Sequence, residues 1–265
     1  MRSKLYKLLF IFLFLNLVIK INTYSKEDTL NNRITISIYT GSNLPILTKG
    51  FLEQYQNQMG GIKSEFQTYW GFGGTINFQI KENFRVSLNA EYIPNSLQDN
   101  FSQDDPNQQG LWRNFYEDMT LTTVPIIITG EYYQFYEKYK SYFGAGIGIS
   151  YSYFIWKELV NSPLKYDTRK SSTVYNSIDF YPTLYATVGV DLDWDKERPD
   201  FFMKSTSISS SFYYVIRYPR IFKNLESQIV PFPDEMMGGK GVAPFYIGIN
   251  IGLTFNIEKY LIKHH

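Results

Sequence analysis

Past residue 25 the chain alternates apolar and polar side chains with a period of two, the signature of strands with two chemically different faces. The last such stretch is the clearest. Phe245, Ile247, Ile249, Ile251, Leu253, Phe255 and Ile257 share one face, and Tyr246, Gly248, Asn250, Gly252, Thr254, Asn256 and Glu258 share the other. The same alternation sets Phe143, Ala145, Ile147, Ile149, Tyr151 and Tyr153 against Tyr142, Gly144, Gly146, Gly148, Ser150 and Ser152, and it recurs from Ile178 to Trp194. Weaker versions run through 34–38, 70–80, 84–92 and 124–132, and 201–218 is strand-like with an ambiguous phase. No segment keeps a helical period for long. The pattern predicts an all-β chain of about eight strands.

The connections alternate short and long. Residues 81–83, 134–139 and 195–200 are tight, whereas 41–67, 95–118, 157–175 and 219–242 are long, polar and rich in Pro, Asn, Gln and Asp. An even strand number puts both termini on the short-turn side. This rhythm predicts an antiparallel up-and-down transmembrane β-barrel with short periplasmic turns and long extracellular loops.

Alternation alone leaves open a soluble lipocalin-like barrel with its apolar face inward. Three features favour lipid outside. The apolar stripes end in aromatic residues, and Trp70, Tyr92, Tyr132, Phe143, Tyr151, Tyr153, Phe180, Trp194 and Phe245 are predicted to form girdles at the two interfaces. That accounts for an aromatic content of 18%. Ten residues at about 3.3 Å each, tilted about 40°, also give roughly the 25 Å of an apolar band. Charges occupy the opposite phase, where Arg85 with Glu131, and Arg33 with Glu258, are predicted to pair inside the lumen.

Met1 to Lys7 carries three cations, followed by the apolar run LLFIFLFLNLVI, too short for a helix that needs about 20 residues to span a bilayer. Residues 1–25 therefore read as a signal peptide cleaved after Ser25, with an uncleaved anchor as the other reading, and 26–265 as the barrel domain. Without 1–25, 22 cations stand against 25 anions, and no basic stripe remains for nucleic acid. There are no cysteines, which removes disulfides, thiolate metal sites and a lipid anchor on Cys.

Residues 124–151 read VPIIITGEYYQFYEKYKSYFGAGIGISY, a Pro-led apolar strand ending in Tyr, a turn, then an aromatic followed by GxGxG. With Pro125, Tyr132, Tyr133, Phe143, Gly144, Gly146 and Gly148 in these places, the chain resembles the small outer-membrane β-barrels of the OmpA membrane domain, OmpX and OmpW type. The last strand is similar to the barrel-assembly signal of that superfamily at Asn250, Gly252, Phe255 and Ile257. In this chain eight residues follow Ile257, where the family signal usually ends the protein. The resemblance implies residence in a bacterial outer membrane, with its lipid and the barrel-assembly machinery as partners.

No cofactor or metal set is evident. Gly144, Gly146 and Gly148 lie within continuous strand alternation and so do not open a dinucleotide-binding helix. The only histidines, His264 and His265, sit on the tail at the periplasmic end, out of reach of a serine–histidine arrangement at the outer leaflet. Asp104–Asp105 and Glu117–Asp118 are candidates for paired-carboxylate chemistry only by adjacency.

An eight-stranded barrel is just wide enough for side chains to fill, and Tyr142, Tyr181 and Tyr185 point into it. The expectation is a non-enzymatic surface protein whose loops meet host or envelope partners. Phe51, Tyr55, Trp112, Phe115 and Tyr116 are aromatic candidates for those contacts or for packing within the loops. The alternatives are a narrow conduit for small hydrophobic or ionic solutes, and a soluble periplasmic binding barrel.

Overall fold

The computed structural model describes residues 34–46, 49–63, 65–105, 108–136, 139–163, 171–194, 203–216 and 245–256. The segment predicted as a signal, Arg33, the predicted turn at 195–200, the predicted loop at 219–242, and Ile257 with Glu258 lie outside them.

Eight strands close into an antiparallel ring: β1 (Ile34–Ile46), β3 (Trp70–Lys81), β4 (Phe84–Asp105), β5 (Gln108–Phe135), β6 (Tyr139–Asn161), β7 (Ser172–Asp193), β8 (Met203–Val215) and β9 (Phe245–Asn256). A helix, α1 (Lys49–Met59), and a two-residue strand, β2 (Gln67–Thr68), which pairs with β4 just above the end of β3, lie between β1 and β3. Each strand pairs with its sequence neighbours, and the β1–β9 pairing, from Thr35 opposite Asn256 to Ile46 opposite Phe245, closes the ring.

Facing decides the environment. On β9 the even positions are buried in the barrel while Ile249 and Ile251 are 65% and 50% exposed on its outside. Phe143, Ile147, Phe180 and Val188 stand out in the same way, and the side chains buried among them are mostly Thr, Ser and Asn, with Tyr142, Tyr181, Glu131 and Asp191. A lipocalin-like barrel needs the reverse, so the soluble arrangement is ruled out. A continuous apolar band around a polar interior is the surface of a membrane-spanning barrel.

β8 also acquires a phase. Ser205, Ser207, Ser209 and Ser211 pair with inward β9 residues, so odd positions face the lumen and Ile208 and Tyr214 face out. Serines on both faces, including Ser210, blurred the alternation.

The strands fall into two sets. β1, β3, β8 and β9 have 12 or 13 residues, whereas β4 to β7 have 22 to 28 and rise beyond the ring. Much of the predicted loop at 95–118 is therefore strand: β4 and β5 form one hairpin, paired from Phe84 opposite Tyr132 to Asp105 opposite Gln108. The predicted loop at 157–175 likewise contains the ends of β6 and β7, and 41–67 contains the end of β1 and all of α1.

The helix departs from the expectation that no helix forms. Its Phe51, Leu52 and Tyr55 occupy one face at spacings suited to 3.6 residues per turn, and all three are buried. That stripe packs on the inward face of the tall strands, against Leu97, Phe101, Phe115, Met119, Leu121, Phe154 and Trp156.

Candidate functional site

The interior is best followed from the short-turn end upward. Arg85 on β4 lies directly opposite Glu131 on β5. The two form an ion pair in which Arg85 Nε donates to Glu131 Oε2 at 2.6 Å. The guanidinium lies over the rings of Tyr133 (4.8 Å) and Tyr142 (5.7 Å), which shield it from solvent. Lys140 Nζ meets Asp193 at 2.6 Å nearby. Arg85, Tyr133 and Lys140, with Asp191, edge an open mouth of about 230 Å³.

Above the mouth, hydroxyls and amides bond sideways from strand to strand. Asn77 Nδ2 donates to Ser37 Oγ at 2.9 Å, the Ser37 and Thr254 hydroxyls are hydrogen-bonded at 2.8 Å, and Ser87 Oγ donates to Asn77 Oδ1 at 2.9 Å. A second run joins Thr75 to Asn89 at 2.6 Å and Asn89 to Thr129 at 2.7 Å. These particular groups satisfy one another across β9, β1, β3, β4 and β5.

Small residues make room for large ones on the other side. A Cβ on Gly189 would come within 2.6 Å of the Tyr142 ring, and one on Gly144 within 2.7 Å of Glu131 Cγ. The space left at mid-lumen is about 40 Å³, room for a few waters and not for a solute.

The lumen is then stopped from above. Glu91 on β4, 2% exposed, accepts from Asn43 Nδ2 at 2.6 Å and from the Tyr213 hydroxyl. Ile93, Ile127, Tyr213 and Tyr246 form a second buried cluster at this level with Tyr185 packed on it, and Tyr246 bonds Thr123 at 2.8 Å. Beyond it begins the aromatic core under α1, giving two successive apolar layers.

That upper core is fastened by carboxylates. Asp99 Oδ2 accepts from Tyr55 Oη (2.9 Å) and from the backbone N–H groups of Ile62 (2.7 Å) and Lys63 (3.0 Å), so one side chain ties down α1 and the segment leaving it. Burial, with Glu117 and Asp99 beside it, pushes the Tyr55 phenol well above its ordinary pKa, which keeps it a donor. Trp156 Nε1 donates to Glu117 Oε2 at 2.6 Å, and its ring stands edge-on to Tyr55 at 5.7 Å and Phe51 at 6.4 Å.

The predicted site residues distribute as follows. Trp70, Tyr92, Tyr132, Phe143, Phe180 and Trp194 are exposed, and Tyr151, Tyr153 and Phe245 are partly so. Asn250 and Gly252 face the lumen and Phe255 faces out. Of the five loop aromatics, Phe51, Tyr55 and Phe115 are buried in the upper core and only Trp112 and Tyr116 are exposed. Glu117 points inward and Asp118 outward, so that adjacency cannot make a shared acidic site. Among the described residues no cluster of His, Cys, Asp or Glu could hold a metal ion. Asp99, Glu91, Tyr213 and Trp156 were not singled out from the sequence. All sit in a strict period of two, which was the available signal.

No family model and no curated protein matches this sequence. Solved structures do. The N-terminal β-barrel domain of Pseudomonas aeruginosa OprF aligns at 8% identity over 84% of this chain and 98% of that one, with a TM-score of 0.37. Ail, the attachment invasion locus protein of Yersinia pestis, aligns at 11% identity over 85% and 99%, with a TM-score of 0.36. The outer membrane protein OprG of Pseudomonas aeruginosa aligns at 11% identity over 85% and 96%, with a TM-score of 0.41. Identities this low leave no residue correspondence to carry over.

Proposed function

We propose that this chain is a non-enzymatic outer-membrane surface protein, in which a filled barrel serves as the membrane anchor for a folded extracellular cap. The observation that carries this reading is the pair of apolar layers at and above the level of Glu91. A solute entering at the Arg85 mouth meets a mid-lumen space of about 40 Å³, then Tyr213 and Tyr246, then the core under α1. Effort spent on packing Phe51, Tyr55, Phe115 and Trp156 above the bilayer serves presentation of a shaped surface, and transport has no use for it.

Within the same reading, residues 1–25 are the export signal, the nine exposed or half-exposed aromatics are the interfacial girdles, and Asn250, Gly252, Phe255 and Ile257 are what the assembly machinery engages. Partners of the cap are host or envelope components. Planar-bilayer recording of purified, refolded protein is the test. The expected trace is flat, and reproducible single-channel steps would replace this reading with the narrow conduit.

A further inference from the structure

We propose that the outer face of the tall strands binds a neutral oligosaccharide, with Tyr116 and Trp112 as stacking platforms. The proposal rests on the reading of the tall strands as the extracellular end, and it names the ligand class that end would take. In the upper hairpin the outward positions are mostly polar, with Asn100, Ser102 and Asn114 exposed. Trp112, 58% exposed, and Tyr116, 37% exposed, break that rule. Neither lipid nor the cap core accounts for them. The lipid band ends near Tyr153, the adjacent core has taken in Phe51, Phe115 and Trp156, and an exposed Trp has no packing role.

Tyr116 walls a groove of about 350 Å³ with Asp118, Lys157, Glu158, Leu159, Ser171 and Thr173. That volume lies in the range of about 300 to 1,000 Å³ used for small ligands. The groove sits at a β-bulge: Trp156 pairs with Tyr175 but Lys157 pairs with Thr173, so β7 carries one extra residue there. Bulges of this kind re-aim side chains beside binding sites. Lys157 is four residues beyond Tyr153, or about 10 Å farther along the barrel axis at a tilt of about 40°.

The chemistry of the groove selects the ligand. Glu158 also borders the groove, but it is 1% exposed on the inward phase of β6. The outward-facing charges are one carboxylate and one ammonium, the cross-strand neighbours Asp118 and Lys157, so the open side has donors and acceptors in balance and gives no advantage to an anion. Hydroxyl-rich rings satisfy such a mixture, and the flat ring of Tyr116 suits the C–H face of a pyranose. Trp112 lies on the same face four residues away, about 13 Å along the strand, a spacing suited to the first and last rings of a trisaccharide. Asn114 lies between them. Ser102 Oγ donates to its Oδ1 at 2.6 Å, which engages the amide oxygen.

The test uses the full chain refolded in detergent micelles and saturation-transfer NMR with maltotriose, cellotriose, chitotriose and an N-acetyllactosamine trisaccharide. Core oligosaccharide released from the producing cell's own lipopolysaccharide forms a separate arm, distinguishing envelope sugars from those of another cell. At least one neutral sugar should bind saturably. Tyr116→Ala should weaken it at least ten-fold, Tyr116→Phe should retain it, and Trp112→Ala should weaken trisaccharides but not the matching monosaccharide. Circular dichroism melts of each variant separate loss of binding from loss of fold.

The proposal is overturned if no sugar binds, if binding survives Tyr116→Ala, or if dextran sulfate competes where neutral dextran does not. Because the chain has no cysteine, Thr173→Cys can be probed on intact cells with a membrane-impermeant maleimide. Labelling without sugar binding sinks this proposal and leaves the surface protein standing. Absence of labelling sinks both.

Discussion

β4, β5 and β6 each live in two solvents. In the lower part of β4 the inward residues are Arg85, Ser87, Asn89 and Glu91, and the outward ones are Phe84, Val86, Leu88 and Tyr92. Above Ile93 the assignment reverses: Leu97 and Phe101 face in, and Gln98, Asn100 and Ser102 face out. β5 reverses near Thr123 and β6 near Ser152, residues that are register partners of one another and, through Thr123, of Ile93. The backbone does nothing special at this level. The change is in what surrounds it, hydrocarbon below and water above, and it shows that an inward side chain has no fixed character. In the lower region polar groups are buried because the outside is apolar, and stability there rests on hydrogen-bond satisfaction. In the upper region burial follows the ordinary hydrophobic rule.

The sharpest way to break the lower region is Arg85→Ala. It strands the buried Glu131 carboxylate, and breaking a buried pair costs about 3 to 5 kcal/mol. Urea unfolding of the refolded protein in lipid vesicles should register that loss, and Arg85→Ala with Glu131→Ala together should recover part of it. An unchanged midpoint in the single variant would show that the pair is not structural.

Trp156→Ala makes the corresponding cavity in the upper region, with an expected cost of about 3 to 5 kcal/mol confined to the cap. Proteolysis should then cut near α1 while the membrane-protected fragment persists, and a barrel that unfolds along with the cap would show the two regions to be one cooperative unit.

Ile147→Lys tests the reversal directly. Ile147 is 67% exposed in the middle of the band, so a cation there should cost about 2 to 4 kcal/mol in vesicles. Asn100→Lys, outward on the upper part of β4, should stay within about 0.5 kcal/mol. Equal effects at the two positions would remove the distinction between lipid and water faces.

A smaller loss than at Ile147 is expected from Asp99→Asn, which keeps the shape and weakens, without removing, bonds to a charged acceptor worth about 1.5 to 3 kcal/mol. Hydrogen exchange should speed up at Ile62 and Lys63 and remain slow at the lumen strands.

The lower region was legible in the sequence because lipid imposes a strict apolar stripe on one phase. From Phe143 to Tyr153 and from Phe245 to Phe255 nothing competes with that stripe, and the ring, the closing pair β1–β9 and the Arg85–Glu131 neighbours follow from it. The upper region hid behind its own reversal. In 95–118 the apolar residues Leu97, Phe101 and Phe115 keep the period of two, but charged and amide residues such as Asp99, Asn100 and Glu117 share the stretch, and it resembled a polar loop. Asp99 is inside because it binds backbone N–H groups of a segment more than 35 residues away, a reason that no local pattern contains. Helix α1 was missed because its stripe of Phe51, Leu52 and Tyr55 spans little more than one turn.

The level marked by Ile93, Thr123 and Ser152 also behaves like a reading frame. Facing along a strand is set by counting, so deleting one residue just above that level would turn every side chain of that upper strand over while leaving those below it untouched. Pro94, immediately above Ile93, sits where such a slip would begin. Insertions and losses in the tall strands are therefore tolerated in pairs. A lineage of such barrels would lengthen or shorten its cap two residues at a time, with the membrane segment as the fixed text.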